Sequence, residues 1–548
     1  MKKTIYKISA LALACSSTTA MAFTFNSGNI SGAFDSTLSV GTAIRTDSRG
    51  CNLLTQGATG QSVPDTCQSP GGLGIGDQGD LNYEKGDAFT TYIKGVHELY
   101  LSLPDDYSFL ARGSWKRDFT ATDTTGTLGW DRPAGVGDDG LTSDARDELE
   151  FQARLLDFYV SKGFYLGSYR MKARLGNQVV NWGESLFAGG GINETNGYDV
   201  MALSTPGTQL KEALLPAPMF DLSANLGNGL SVEGYYQFRW KKTEIPPVGS
   251  YWSTTNLLGE GMEAYGYDDE DARDSGQWGL SLKWQPRNTD LSLGFYVMRY
   301  HDKLPSLYLD WVDPALGTYA PKWVYPEDRM LYGLSANFPV GDWAVGTELS
   351  YRPKDAVSLN PLYGCFANDG ECWTDEKKFQ WHLTGIYSLV PSNSRWLLDA
   401  TGATSGNFLS ELVVVHYPDL QDEYGGEPIS AGLQNWRTDP NVFPASYGDK
   451  TSSGISADFS LTYDGTLISG WQVTPGIFYS RSLKGRTPTL TAPYMKDSST
   501  MNLYLNLLRN PGTWQVSVNY AKYMGGETPY DQVYEDRDYV GLVLSRSL

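Results

Sequence analysis

The sequence predicts an all-β chain: a transmembrane antiparallel β-barrel of the bacterial outer membrane. It should have about 18 strands, with 16 or 14 as alternatives, and an inward-folded loop or plug segment. Three observations carry this. Residues 1–22 read as a secretory leader, strand-like segments of alternating polarity run to the last residue, and the links between them alternate between short and long.

In the leader, Lys2, Lys3 and Lys7 precede an apolar, small-residue run from Ile8 to Ala14, and Ala20-Met21-Ala22 has the form of a cleavage site. The mature chain is expected to begin at Phe23 and to form one domain over 23–548. Cys15 admits a lipoprotein signal as the weaker reading, because Ala12 stands where such a site prefers Leu. No later stretch has the roughly 18 uninterrupted apolar residues of a membrane helix, whereas barrel strands need only about ten with alternating polarity. The 35 Tyr, 16 Trp, 20 Phe and 60 Gly lean toward a barrel, although a secreted all-β enzyme or lectin shares such usage. Without the three leader lysines the formal charge moves from −20 to −23, which disfavours nucleic acid as a partner. Outer-membrane lipid, lipopolysaccharide and the barrel assembly machinery are the partners this setting implies.

In chain order the strand-like segments are Gly32–Thr46, Ala88–Leu103, Ser108–Phe119, Glu150–Val160, Gly167–Val180 and Phe220–Leu226. Leu230–Lys242, Gln277–Gln285, Asp290–Tyr300, Arg329–Phe338, Gly341–Tyr351 and Phe379–Val390 follow. Leu409–His416, Gly454–Tyr463, Trp471–Ser482, Met501–Leu508, Trp514–Tyr523 and Tyr539–Leu548 close the chain. Pro104-Asp105-Asp106-Tyr107 and Gly227-Asn228-Gly229 are tight-turn signals. Outer-membrane barrels have short periplasmic turns and long external loops, and a soluble sandwich has no reason to sort its loops by parity. The four cysteines of the mature chain fall in the long class. Of three pairings, the local one, Cys51 with Cys67 and Cys365 with Cys372, is the simplest.

The fifth segment is the most informative. Tyr169, Met171, Ala173 and Leu175 share one face, and Arg170, Lys172 and Arg174 the other. In a barrel the first face meets lipid and the second the lumen. The cations are then either paired with carboxylates of neighbouring strands or of the plug, or form a ladder guiding an anionic head group. About forty residues follow before the next strand, unusually many for a link with no strand of its own. Its span 181–218 is expected to fold inward as a constriction or hatch, with an external loop packed over the rim as the alternative. Trp182 and Glu184 lie in it, as do Lys211 and Glu212, and Gly189-Gly190-Gly191 suits close passage along the wall. Glu184, Lys211 and Glu212 are the expected partners of the ladder, since an unpaired buried charge is costly.

The acidic string Asp268-Asp269-Glu270-Asp271 lacks the spacing of a calcium loop, so weak calcium binding outside the membrane is the most it offers, and no cofactor is expected. The four histidines, His97, His301, His382 and His416, sit in no catalytic motif, and the chain reads as a non-enzyme.

Several stretches carry a family resemblance: Ile30–Ser39, Gly79–Asp87, Gly176-Asn177-Gln178-Val179-Val180-Asn181-Trp182-Gly183-Glu184, Pro206–Pro216 and Trp240-Lys241-Lys242-Thr243-Glu244. Through them the chain resembles the large proteobacterial outer-membrane proteins catalogued as domain of unknown function 1302, and more distantly hydrophobic-compound uptake barrels. That resemblance implies movement of hydrophobic molecules, a hydrophobic small-molecule ligand and a periplasmic lipid-binding partner, and it carries over no catalytic residue. The expected function is an outer-membrane channel for hydrophobic or amphipathic small molecules, of fatty-acid, ester, steroid or hydrocarbon type, through a gated or plugged lumen. A general hydrophilic diffusion porin and a structural or surface-binding barrel are the alternatives.

Overall fold

The computed structural model describes residues 23–50, 53, 77–124, 133–313, 318–359, 365, 368–424, 427–432, 447–509 and 512–548. The leader 1–22 and the Cys51–Cys67 pairing lie outside these residues. Eighteen long strands close on themselves: β1 (Ile30–Arg45), β2 (Ala88–Leu103), β3 (Tyr107–Asp118), β4 (Phe151–Leu166), β5 (Tyr169–Gln178) and β6 (Ala217–Gly227) come first. Next are β7 (Leu230–Gln237), β8 (Gln277–Trp284), β9 (Ser292–Tyr300), β10 (Arg329–Val340), β11 (Trp343–Ser358) and β12 (Trp373–Leu389). The last are β13 (Ser405–His416), β14 (Thr451–Asp464), β15 (Trp471–Lys484), β16 (Ser498–Arg509), β17 (Trp514–Gly525) and β18 (Tyr539–Ser547). Each pairs antiparallel with its neighbour, and β18 returns to β1 with Ser547 opposite Thr37 and Tyr539 opposite Arg45. A short strand, Phe23–Ser27, folds back on Ile30–Phe34 along the same edge of β1 that carries β18 from Thr37 onward. The Leu548 N–H donates to the Ser36 carbonyl at 2.7 Å and fills the gap between them.

Alternation sorts the side chains as lipid and lumen require. Leu282, Phe295, Leu334, Leu349 and Trp381 stand opposite one another on β8 to β12, and all are exposed. One step along, Ser281, Tyr296, Gly333, Ser350 and Gln380 form the matching row on the inner face, where Ser281, Tyr296, Ser350 and Gln380 are buried. Among the described residues, closure leaves the barrel sheet no unpaired edge, and the outward row offers hydrocarbon nothing to hydrate. The chain is a barrel of the bacterial outer membrane.

At one end the links are short: 104–106, 167–168, 228–229, 285–291, 341–342, 465–470 and 510–513. Gly227, Asn228 and Gly229 all have positive φ, the turn that their sequence signals. The link 390–404 departs from the short pattern because it carries a helix, Arg395–Thr401. The long loops gather at the other end and hold α1 (Gln78–Asn82), α2 (Ser143–Glu150), α3 (Val200–Ser204) and α4 (Leu210–Ala213). Cys365 and Cys372 form a disulfide that clips one of them.

Candidate functional site

The chain between β5 and β6 leaves the wall and makes its contacts with inner-face side chains. Trp182, 2% exposed, lies against Tyr235 of β7 and Tyr296 of β9, with ring centroids 5.3 and 5.8 Å away. A Cβ on Gly279 of β8 would come within 2.9 Å of the Trp182 ring, so that position stays bare. A few residues on, the irregular backbone needs acceptors for its N–H groups, and two wall carboxylates supply them. Glu348 on β11 accepts from the N–H of Glu184 at 2.5 Å and of Ile192 at 2.9 Å. Glu411 on β13 accepts from Phe187 at 2.6 Å and Ala188 at 2.9 Å. His382 on β12 lies between these carboxylates, its Nδ1 2.7 Å from Glu411 Oε1. Gly191 is required here, because a Cβ would fall 2.0 Å from Glu348 Oε1. Arg352 of β11, fully buried, donates to the Gly191 carbonyl and to Glu194, both at 2.9 Å.

The second half of the segment meets the other side of the wall. Asp199 caps α3 by accepting from Ala202 N–H at 2.7 Å, and it pairs with Arg154 of β4 at 3.0 Å. Tyr92 and Lys94 of β2 donate to the carbonyls of Pro206 (2.6 Å) and Gly207 (2.9 Å). Glu212 accepts from Gln209 N–H at 3.0 Å, closing a capping box on α4, and pairs with Lys94 at 2.8 Å. Contacts on β7–β13 and again on β2 and β4 hold the segment from both sides.

Arg174 of the basic ladder takes the neighbouring-strand partners of the two expected kinds, and Glu184 and Glu212 of the segment are not its partners. Arg170 pairs with Asp106 in the β2–β3 turn at 3.2 Å, both exposed. Arg174 meets Asp221 of β6 at 3.0 Å and Glu233 of β7 at 3.4 Å. Lys172 lines a cavity of about 850 Å3 at the short-turn end. Glu184 instead accepts from Asn337 at 2.9 Å, and Glu212 is taken by Lys94. The reason is topological. β6 puts Asp221 directly opposite Arg174, whereas the lumenal segment departs from the far end of β5. Lys94, Glu348, Arg352 and Glu411 escaped the sequence reading, and His382 entered it only as a histidine outside any catalytic motif; the signal they carry is a charged or ionisable residue at an inward, mid-strand position.

Two further cavities lie in series down the inner face of β16. Toward the long loops, one of about 420 Å3 is lined by Trp252, Leu258, Leu304, Leu490, Met495 and Tyr534, with Ser498 and Thr500 of β16. Below it, one of about 540 Å3 meets Asn502, Tyr504 and Asn506 of the same strand and reaches Thr513 and Ser547 at the short-turn end. Val200 faces the upper cavity and Leu203–Gln209 the lower, so α3 stands between them.

At the mouth, buried ion pairs tie the β1–β2 and β17–β18 loops to each other and to the end of β1: Arg45 with Asp80 (2.7 Å) and Asp536 (3.2 Å), and Arg537 with Asp77 (2.5 Å). Burial pushes the Asp77 and Asp536 carboxyls above their ordinary range, each against a neighbouring arginine. Glu148 on α2, 3.8 Å from Arg154, is pushed up to about 7 by burial, with the Glu244 charge adding to it. The acidic string is paired with lysines: Asp271 with Lys242 at 3.4 Å, Asp269 with the same lysine, and Glu270 with Lys322 at 2.8 Å.

Ser36 Oγ is 2.8 Å from His97 Nδ1, and Trp115 Nε1 donates to His97 Nε2 at 3.0 Å. An indole only donates, so the Nε2 lone pair is occupied and the ring proton sits on Nδ1. His97 then donates to Ser36, the reverse of a general base activating a nucleophile.

Among solved structures the chain is similar to OccAB1 of Acinetobacter baumannii, at 11% identity and a TM-score of 0.43 over 94% of this chain and 96% of that one. It is also similar to OpdK of Pseudomonas aeruginosa with vanillate, at 12% and 0.42 over 94% and 98%. A third likeness is OccK2 (OpdF) of Pseudomonas aeruginosa in complex with glucuronate, at 12% and 0.40 over 94% and 98%. No curated protein matches the chain. The family model described as "Protein of unknown function (DUF1302)" matches residues 3–548, and the chain belongs to that family.

Proposed function

We propose that the chain is an outer-membrane channel for amphipathic small molecules, with the path running down the β16 wall. The observation that carries this is the pair of stacked cavities: an apolar, aromatic-lined chamber of about 420 Å3 above a polar one of about 540 Å3. A molecule with an apolar body and a polar end finds a matching surface for each along one strand, and α3 narrows the passage between them. In this reading the segment 181–218 is a constriction rather than a hatch, because Glu348 and Glu411 hold it to the wall through four backbone N–H groups at 2.5 to 2.9 Å. Arg174, occupied by two carboxylates, belongs to the wall, and Lys172 faces the exit.

The polar character of the lower chamber and of the exit favours a second reading, a hydrophilic diffusion porin. Uptake into proteoliposomes separates the two. A steroid-acid tracer is expected to enter at least about tenfold faster than sucrose, the factor that about 1.4 kcal/mol of preferential interaction supplies. Equal entry would favour the porin, and entry of neither would favour a structural barrel.

A further inference from the structure

The lower chamber has a lining unlike the ionic network around it. Thr37 and Ser39 of β1, Asn506 of β16, and Gln515 and Ser517 of β17 face it, all neutral donors and acceptors. Several cations elsewhere inside the barrel are held by carboxylates: Lys94 by Glu212 at 2.8 Å, Arg112 by Asp157 at 2.6 Å, Arg174 by Asp221 at 3.0 Å. Lys211 on α4 also lines the chamber, and among the described residues no carboxylate lies within ion-pair distance of it. Glu212 lines the chamber too, but it is 8% exposed and its charge is committed to Lys94 and to the Gln209 N–H.

The chamber therefore offers many neutral hydrogen-bonding groups and one uncompensated ammonium. A cation would be repelled by Lys211. A purely apolar chain would strip water from the amides and hydroxyls without replacing the lost hydrogen bonds. A multiply charged anion would enter with charge the chamber leaves unmatched. What satisfies both features is a single carboxylate on a hydroxyl-bearing frame, the carboxylate accepting from the lysine and the hydroxyls exchanging bonds with Ser, Asn and Gln.

We infer that the lower chamber binds the polar end of a hydroxylated organic monoanion, with its carboxylate on Lys211 Nζ and its hydroxyls on the side chains of β1, β16 and β17. This rests on the channel reading and names the polar end of its substrate. The test is current interruption by gluconate through the full chain in planar bilayers, compared with sorbitol, which lacks the carboxylate, and hexanoate, which lacks the hydroxyls. Gluconate is expected to bind at least about tenfold more tightly than either. Lys211→Ala is expected to weaken it about ten- to hundredfold, the range of one charge-assisted hydrogen bond, while Lys211→Arg retains it. Undiminished block in Lys211→Ala, or block by hexanoate equal to that by gluconate, would overturn the inference. Absence of any conductance would overturn the channel reading instead; calorimetric binding of gluconate to the detergent-solubilised chain and to Lys211→Ala then decides the site on its own.

Discussion

The carboxylate of Glu411, on the inner face of β13, accepts the backbone N–H of Phe187 at 2.6 Å across 224 residues of sequence. With the Glu348 contacts, it fixes a segment that has little regular structure of its own. Glu411→Ala is expected to leave the Phe187 and Ala188 N–H groups without an acceptor and His382 without its partner. The local cost is about 1–3 kcal/mol per orphaned group. Hydrogen exchange at 186–188 should accelerate while the strands stay protected, and open-channel conductance should rise. Unchanged exchange at 186–188 would mean that the anchor contributes nothing.

Gly191 and Glu348 form a coupled pair. Because a Cβ at 191 would sit 2.0 Å from the Glu348 carboxylate, Gly191→Ala is expected to push 190–192 off the wall. It should reproduce the conductance change of Glu348→Ala. Since both substitutions break the same contact, their effects should fall short of additive by roughly 0.5–3 kcal/mol in a double-mutant cycle. Full additivity would show that the glycine and the carboxylate act separately.

The strands were legible because lipid and lumen impose a period of two on every one of them: Leu282 and Ser281, or Leu349 and Ser350, separate by face in the sequence as in the barrel. Close passage along the wall was legible at Gly190 and Gly191, where a Cβ would meet Gln380 and Glu348, whereas Gly189 has open space beside it. The partners of the segment were not. Glu348, His382 and Glu411 are single polar residues on distant strands, and which loop they meet depends on how eighteen strands close. For Arg174 the sequence left a neighbouring strand and the segment both open as sources of its partner; the strand prevails because Asp221 is the residue directly across, closer than the segment.

Arg174 and Lys172 should therefore separate in their effects. Arg174→Ala leaves Asp221, 1% exposed at its side chain, buried without its counter-charge, a change expected to cost about 3 kcal/mol. It should lower the unfolding midpoint while leaving entry of an anionic amphiphile close to normal per folded barrel. Lys172→Ala, at the exit cavity, should leave the midpoint unchanged within about 0.5 kcal/mol. A transport defect in Arg174→Ala at normal barrel stability would restore the ladder as a substrate path.

The mouth should respond to pH through Glu148. Its carboxyl is raised from an ordinary 4.5 to about 7 in the folded chain, chiefly by burial. The folded state then holds this proton more tightly than the unfolded state. Packing around α2 is favoured most below about pH 4.5 and weakens as pH rises through 7. Asp77 and Asp536 are raised in the same direction by burial, so their contributions have the same sign. Hydrogen exchange of 143–150, corrected for its intrinsic pH dependence, should show protection falling between those limits. Glu148→Gln, which cannot ionise, should flatten its share of that fall and keep the loop more protected above pH 7 than the native chain. Protection that rises with pH, or a profile that Glu148→Gln leaves untouched, would show that the Glu148 carboxyl is ionised and solvated at neutral pH.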